Sequence, residues 1–378
     1  MVEAVRVYSI GLGGDSEVRF SGGHGISIGP RRVVPLSLLA SEHPEVLPAL
    51  EAQANSEPNS SQLRFALRSQ HDEALLSRLP DDERRAWERL AGGPVDVARA
   101  ATEDRRLARA LARLERKGLV IYSGLTPTDA AHVLGISSHW STTAAVLGAK
   151  IWARQMRRLY GFGTWPEGDA EGPSRQIFDL VIDAISQKLV EAGLHEQGQL
   201  AAAQADKLSR LLTEMAMAQR RDPTSPQVFS LQFAADTPVV AVGAPAASYY
   251  PEVARGLRVG LYMPRFAEVA NAVGAVLGEV SQRVHLTITQ PVRGSFRVFA
   301  ANGPKDFPQL EAAVGHAREL AAAEATALAR QAGASSVEVV FAHDENSVRN
   351  DIDGDVFFEM RLTAIASGPP CMRADETT

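Results

Sequence analysis

The stretch "VVAVGAPAASYYPEVARGLRVGLYMP", residues 239 to 264, decides how the rest of the chain is read. Val239–Val242 form a nearly continuous apolar run of the kind found in a sheet covered on both faces. The run opens at Gly243 into a loop of small residues, a helix follows from about Pro251, and "VGLYMP" supplies a second buried strand. Strand, loop, helix and strand in succession predict an α/β chain. Ligands of open α/β sheets collect at the carboxyl ends of the strands. There the loop around Gly243 leaves backbone free, and Tyr249 or Tyr250 can cover a flat base. The competing reading is an ordinary strand-to-helix connection.

Downstream of this stretch, "RFAEVANAVGAVLGEV" reads as a helix whose Ala270, Ala272, Gly274 and Gly278 permit close packing. Residues 284 to 300 read as a hairpin, 308 to 333 as a long alanine-rich helix, and 336 to 367 as two strands around a polar loop. Upstream, "QVFSLQFA" is a further strand candidate, and helices are expected near 174 to 193, 198 to 221 and 141 to 160. Another runs from Thr126 to about Gly135. Residues 51 to 118 are helical and highly charged, with a polar linker at 55 to 62. Residues 2 to 12 read as a strand running into a glycine turn, with a hairpin at Gly13-Gly14 and a return strand in "RFSGGHGISIGP".

With 45 acidic and 39 basic residues in 378, the chain carries a formal charge of −6, which argues against bulk nucleic-acid binding. The single cysteine, Cys371, allows neither a disulfide framework nor a thiolate metal cluster and fits a reducing cytoplasm. No apolar run approaches the ~18–20 residues of a membrane span, and the start lacks a basic stretch followed by an apolar core.

Three segments carry candidate chemistry. In "IGLGGDS", residues 10 to 16, glycines after a strand let backbone amides approach an anion, Ser16 adds a hydroxyl, and Asp15 can hold a hydrated magnesium ion. No Gly-Lys-Ser/Thr follows, and the dinucleotide spacing of glycines is absent, so taken alone the segment reads as a tight hairpin sooner than as a phosphate site. In "LTPTDAAHVLG", Thr126 can cap a helix with Pro127 at its first position and Asp129 completing a box-like arrangement. The functional alternative places Thr128 or Asp129 at a phosphate or metal. Residues 81 to 124 have a winged-helix outline, with Arg105, Arg109 and Arg113 on one helical face. Ten bases against eight acids in residues 81 to 117 leave little net attraction for DNA. Metal patterns are poor: His132 and His139 are seven apart, and "NDIDGD" at 350 to 355 lacks the glutamate that closes a calcium loop. No Gly-x-Ser-x-Gly elbow occurs.

Read together, "YSIGLGGDSEVR", "SIGPRRVVPL", "LARLERKGLV", "GLTPTDAAHVLG", "VVAVGAPAASYYPEVARGL" and "FAEVANAVGAVLG" resemble, in order and spacing, the hydantoinase A and 5-oxoprolinase family. The resemblance runs from residue 5 to about 367. It implies an incomplete ribonuclease-H-like domain of the actin-like ATPase kind, over residues 1–48 and 123–283. A charged helical insertion would fill 49–122 and an α+β segment 284–378. It implies ATP and Mg²⁺ as cofactors, with Gly13, Gly14 and Ser16, Thr126 and Thr128, and Gly243, Ala244 and Pro245 at the nucleotide and "ANAVGAVLG" as the helix crossing between domains. Asp15 and Asp129 would be the catalytic carboxylates. The implied reaction is ATP-dependent opening of a cyclic amide, in the cytoplasm, with a hydantoinase B-like subunit.

Two departures stand out. The upstream Asp-x-Gly-Gly-Thr loops of the family are missing, so the chain resembles its C-terminal portion, with weak nucleotide binding and little turnover expected. "IGPRRVVPLSLLASEHPEV" replaces a cysteine-rich stretch that bears on the substrate. The alternatives are a noncatalytic module that docks a partner subunit and a winged-helix regulator.

Overall fold

The computed structural model describes residues 7–69, 73–196, 202–222, 224, 226, 233, 234, 236–301, 303–350 and 354–371. The chain divides into two compact units, Met1–Glu268 and Val269–Thr378. The division falls ahead of the expected boundary at 284, so α12 and the start of β9 both belong to the second unit. Both units mix helices and sheets, as the sequence predicts.

The first unit opens with an antiparallel pair, β1 (Ser16–Phe20) and β2 (Ile26–Arg32). The hairpin is therefore not at Gly13-Gly14. The chain reverses at Ser21–Gly25, where Gly22 and Gly25 take positive φ values of 58° and 73° that side chains disfavour. Residues 7 to 15 contain no strand. Next come β3 (Val34–Pro35), α1 (Leu36–Glu42), α2 (Val46–Asn55) and β4 (Phe65–Arg68). The charged segment follows as α3 (Glu73–Leu76), α4 (Asp81–Arg89), β5 (Val95–Asp96), α5 (Val97–Glu103) and α6 (Arg105–Arg116). It leads into β6 (Val120–Gly124), and the strands form one sheet in the order β3-β6-β4-β5. Asp96 and Asp104 cap α5 and α6, each accepting from two backbone amides.

This segment has its own apolar core, built on Trp87, Leu90, Leu111, Leu114 and Tyr122. Arg113 is held by Asp82 and Glu83 of α4, so the arginine stripe foreseen for α6 is partly neutralised within the protein. Burial would raise the Glu83 carboxyl, but hydrogen bonds from Lys117 and Arg113 outweigh it and hold the group below its ordinary range.

After β6 come α7 (Pro127–Val133), α8 (Thr142–Tyr160), α9 (Glu171–Glu196) and α10 (Ala202–Arg221). The unit closes with β7 (Val239–Val240), α11 (Ala246–Leu257) and β8 (Leu261–Tyr262). The strand candidate "QVFSLQFA" lies, apart from Phe233 and Ala234, outside the described residues. α11 begins a turn earlier than expected, and Pro251 lies inside it.

β7 and β8 are parallel, but each is only two residues long, and among the described residues no third strand joins them. One face of the pair, with Val239 and Leu261, packs against the core shared by α9, α10 and α11. The other exposes Val240 (58%), Val242 (50%) and Tyr262 (59%). The expectation of a strand buried on both faces therefore fails, since one layer is uncovered among the described residues.

The second unit holds α12 (Ala270–Leu277) and an antiparallel sheet of β9 (Val280–Val292), β10 (Ser295–Ala300), β11 (Gly303–Phe307), β12 (Glu338–Asn350) and β13 (Gly354–Gly368). Across the sheet lies α13 (Leu310–Gln331). Ala313, Ala317, Ala321, Ala325 and Ala329 recur every four residues on its buried side, so the helix lies close over Leu286, Ile288, Leu362 and Ala364. The polar turn read in "NDIDGD" joins β12 to β13, with 351–353 outside the described residues. No helix among the described residues is long and apolar enough to cross a membrane.

Candidate nucleotide cleft

The turn before β1 closes on itself. The Ser16 amide donates to the Gly13 carbonyl at 3.1 Å, and the Gly13 amide donates to Ser16 Oγ at 2.9 Å. Ser16 is buried, so its hydroxyl shapes the loop rather than facing a ligand. Asp15 receives Arg32 in a fork, from Nε at 2.6 Å and Nη2 at 2.5 Å. Its carboxylate is thereby engaged with a cation instead of standing free for a metal.

This turn docks on the start of α7. The Thr128 amide donates to the Gly14 carbonyl at 3.0 Å. A Cβ at Gly14 would lie 2.7 Å from Thr128 Oγ1, so glycine lets the turn sit this close to α7, and Pro245 Cβ, 4.0 Å from that position, is at ordinary van der Waals range. On the α11 side, Gly243 has φ 107° and its amide donates to Ala267 O at 2.7 Å. Ala244 and Pro245 stand exposed at the head of α11.

The Thr126–Asp129 capping box forms as the spacing predicts, with Thr126 Oγ1 and the Asp129 carboxylate each serving the other's backbone amide. Asp129 does more. It also accepts from the amides of Ser37 at 2.8 Å and Leu36 at 3.2 Å, so one carboxylate caps the starts of both α7 and α1. Burial pushes its carboxyl above the ordinary range, against the pull of the Ser37, Thr126 and Leu36 donors. Thr126 and Asp129 are both 0% exposed. The assignment of Asp129 as a catalytic group is therefore corrected: with no surface to offer a substrate, it positions two helices. His132 is likewise structural, its Nδ1 hydrogen-bonded to the Thr128 carbonyl and its Nε2 accepting from the Trp140 amide.

A cleft of about 370 Å³ opens beside the Gly13-Gly14 turn. One wall is Tyr8, Ile10 and Leu12; a second is α9, through Val181, Ile185, Lys188 and Leu189; the third is Val242, Pro245, Tyr249 and Tyr250. Gly13, Gly14 and Pro245 thus line it. Thr128 stands behind Gly14, and Thr126, Asp129, Ser16, Asp15, Gly243 and Ala244 lie outside its lining. Tyr249 is buried against Phe178 with ring centroids 5.5 Å apart. Burial, then the nearby Asp129 charge, drives its phenol well above the ordinary tyrosine range, so it is a neutral wall. Tyr250, half-buried, lines the same wall.

The α9 wall carries no motif in the sequence beyond periodicity: positions 181, 185, 188, 189 and 192 share one helical face. The cleft suits an apolar, aromatic-faced group. Its lining cation, Lys188, is already paired with Glu191 at 2.7 Å. Among the described residues no cluster of three or more His, Cys, Asp or Glu stands ready for a metal. Lys188 is the single cationic side chain in the lining, which is otherwise apolar apart from three tyrosines.

No protein-family model, curated protein or solved structure matches this chain.

Proposed function

We propose that the protein is the ATP-binding part of an ATP-dependent cyclic-amide hydrolase resembling hydantoinase A and 5-oxoprolinase, with an incomplete ribonuclease-H-like core. One observation carries the reading: three segments far apart in sequence, around Gly14, Thr128 and Pro245, meet at the edge of one cleft. Those are the segments in which the family resemblance resides. In this reading Tyr250 and Pro245 flank the base, and the Gly13-Gly14 backbone borders the sugar and first phosphate. The transfer itself moves the γ-phosphoryl group to the amide oxygen, releasing ADP. Water then attacks the activated carbon, the C–N bond breaks with the nitrogen taking a proton, and a second water hydrolyses the resulting acyl phosphate to carboxylate and free phosphate. Counter-charges for that step come from a second polypeptide, a hydantoinase B-like subunit or a phosphate-loop domain, because this cleft offers only Lys188.

Titration with a fluorescent ATP analogue tests the reading. Binding weaker than ~0.1 mM, or roughly −5.5 kcal/mol, is expected from the base and sugar alone. Absence of binding at millimolar nucleotide would overturn it, as would a stoichiometric magnesium ATPase from this chain by itself.

A second reading, a noncatalytic docking module, is favoured by the uncovered face of β7 and β8. Parallel strands seldom leave an apolar face in water. A subunit that binds this chain while ATP gives no heat, with binding lost in Val240→Lys, would select it.

A further inference from the structure

The charged segment of the first unit builds a helix pair around its own core. α4, α5 and α6 accompany a sheet in the order β6-β4-β5, with β4 antiparallel to both neighbours. Asp104 alone joins α5 to α6, ending the first helix and capping the second. Ala110, Leu111 and Leu114 turn α6 towards the core with Trp87, Leu90 and Tyr122. The opposite side of α6 carries Arg105, Arg109, Ala112 and Arg116, all exposed. Their spacings of four, three and four place them in one row along the helix. Eleven residues at 1.5 Å make that row about 16 Å long.

Ten bases against eight acids in residues 81 to 117 suggest a nearly neutral surface, and the pairing overturns that impression. Asp82 and Glu83 hold Arg113, and Glu83 also holds Lys117. Glu103 is spent on Arg99, and Glu115 on Arg31 from β2. Asp96 and Asp104 cap helices. The remaining two acids, Asp81 and Glu88, both belong to α4. The guanidinium groups of Arg105, Arg106 and Arg109 have no hydrogen-bond or ion-pair partner among the described residues. Arg116 reaches only the Ala112 carbonyl of its own helix, at 3.3 Å. One helix face therefore keeps four uncompensated positive charges in a chain whose net charge is −6.

We propose that α6 binds double-stranded DNA, lying in the major groove as the second helix of a helix-turn-helix pair does. Arg105 and Arg116, at the two ends of the row, meet phosphates on either side of a groove about 12 Å wide. Arg109 faces base edges, where its planar fork matches guanine, and Ala112 leaves the helix room to approach. β4 and β6 are joined through the helices rather than by a hairpin, so α6 engages the duplex without a wing. The net negative charge of the whole chain keeps other faces away from the duplex and restricts contact to this one. The inference stands independently of the nucleotide reading.

Fluorescence anisotropy of the full chain with a labelled DNA duplex of about 20 bp, two helical turns, tests the proposal. A Kd of about 1–100 µM at 150 mM salt is expected, with a log–log salt slope of about −3 for three phosphate contacts. Arg105→Gln/Arg109→Gln should weaken binding about tenfold or more and flatten the slope by about one to two. Lys150→Gln/Arg158→Gln, which removes two exposed charges from α8, should change affinity less than about twofold. Ala112→Glu keeps every arginine and should still weaken binding about tenfold or more, because it puts a carboxylate against the bases. An RNA duplex of the same sequence should bind more weakly, since its major groove is too deep and narrow for a helix. No anisotropy change with about 100 µM chain at 50 mM salt would overturn the proposal. Equal loss in the α8 variant, equal affinity for the RNA duplex, or displacement by an equal charge of polyglutamate would overturn it too. The comparison of DNA with RNA needs no variant, so it decides the matter even where a substitution fails to fold.

Discussion

Asp129→Ala separates positioning from catalysis. The wild-type carboxylate accepts four hydrogen bonds: from Ser37 N at 2.8 Å, Leu36 N at 3.2 Å, Thr126 N at 3.0 Å and Thr126 Oγ1 at 2.8 Å. Leu36, Ser37 and Thr126 are 0% exposed, so alanine strands three backbone N–H groups away from water. Each orphaned donor costs ~1–3 kcal/mol, and partial relaxation brings the total to roughly 3–6 kcal/mol. That is a large share of the ~5–15 kcal/mol that holds a protein together. At ~2–4 °C per kcal/mol for a unit of this size, the first unit should melt roughly 6–24 °C lower.

Differential scanning calorimetry reads the shift, and Asp129→Asn, which keeps the shape and one acceptor oxygen, should cost about 1–3 kcal/mol. The pH sign follows from burial, which lifts the folded carboxyl above its unfolded value of about 3.9. The folded state then holds more protons between the two values, and the group's contribution falls as pH rises through the folded one. The gap between the parent and Asp129→Asn should accordingly narrow with rising pH. A variant that melts within about 2 °C of the parent yet loses turnover in a complete enzyme would refute the reasoning and restore a catalytic carboxylate.

Gly14→Ala should destabilise the first unit by ~1–3 kcal/mol, because its Cβ would lie 2.7 Å from Thr128 Oγ1. Thr128→Ala in the same chain should recover most of that loss in a double-mutant cycle by urea unfolding. Glu83 works in the opposite pH direction to Asp129. Its depressed folded value means that its contribution is full above the unfolded value of about 4.3 and is lost as pH falls through the folded one. Glu83→Gln should therefore lower stability at pH 7 and flatten the acid limb of unfolding followed by circular dichroism. In the second unit, a Cβ at Gly368 would collide with the Ser336 carbonyl, a backbone atom that cannot swing aside. Gly368→Ala should lower the melting transition of that unit and leave that of the first unchanged.

Local signals were legible wherever a residue's partner is near in sequence. The capping box of Thr126 and Asp129 needs only a spacing of three, and the long alanine-rich helix shows its buried face in the every-fourth recurrence of Ala313 to Ala329. Two readings drawn from local pattern alone failed. Local pattern puts the hairpin at the first glycines, Gly13-Gly14, whereas the reversal falls where Gly22 and Gly25 take positive φ. The apolar run at Val239–Val242 reads as buried on both faces, and burial depends on what else in the fold covers it.

The sequence by itself therefore determined element types, helix starts and the mixture of helix and sheet, because propensity, periodicity and capping act over a few residues. Only the tertiary structure decided that Asp129 would serve two helices 90 residues apart, that α9 would wall the cleft, and that the acids of residues 81 to 117 would be engaged away from Arg105 and Arg109. Such sites are made by strand pairing and helix docking between distant segments, and their charges act through space rather than along the chain.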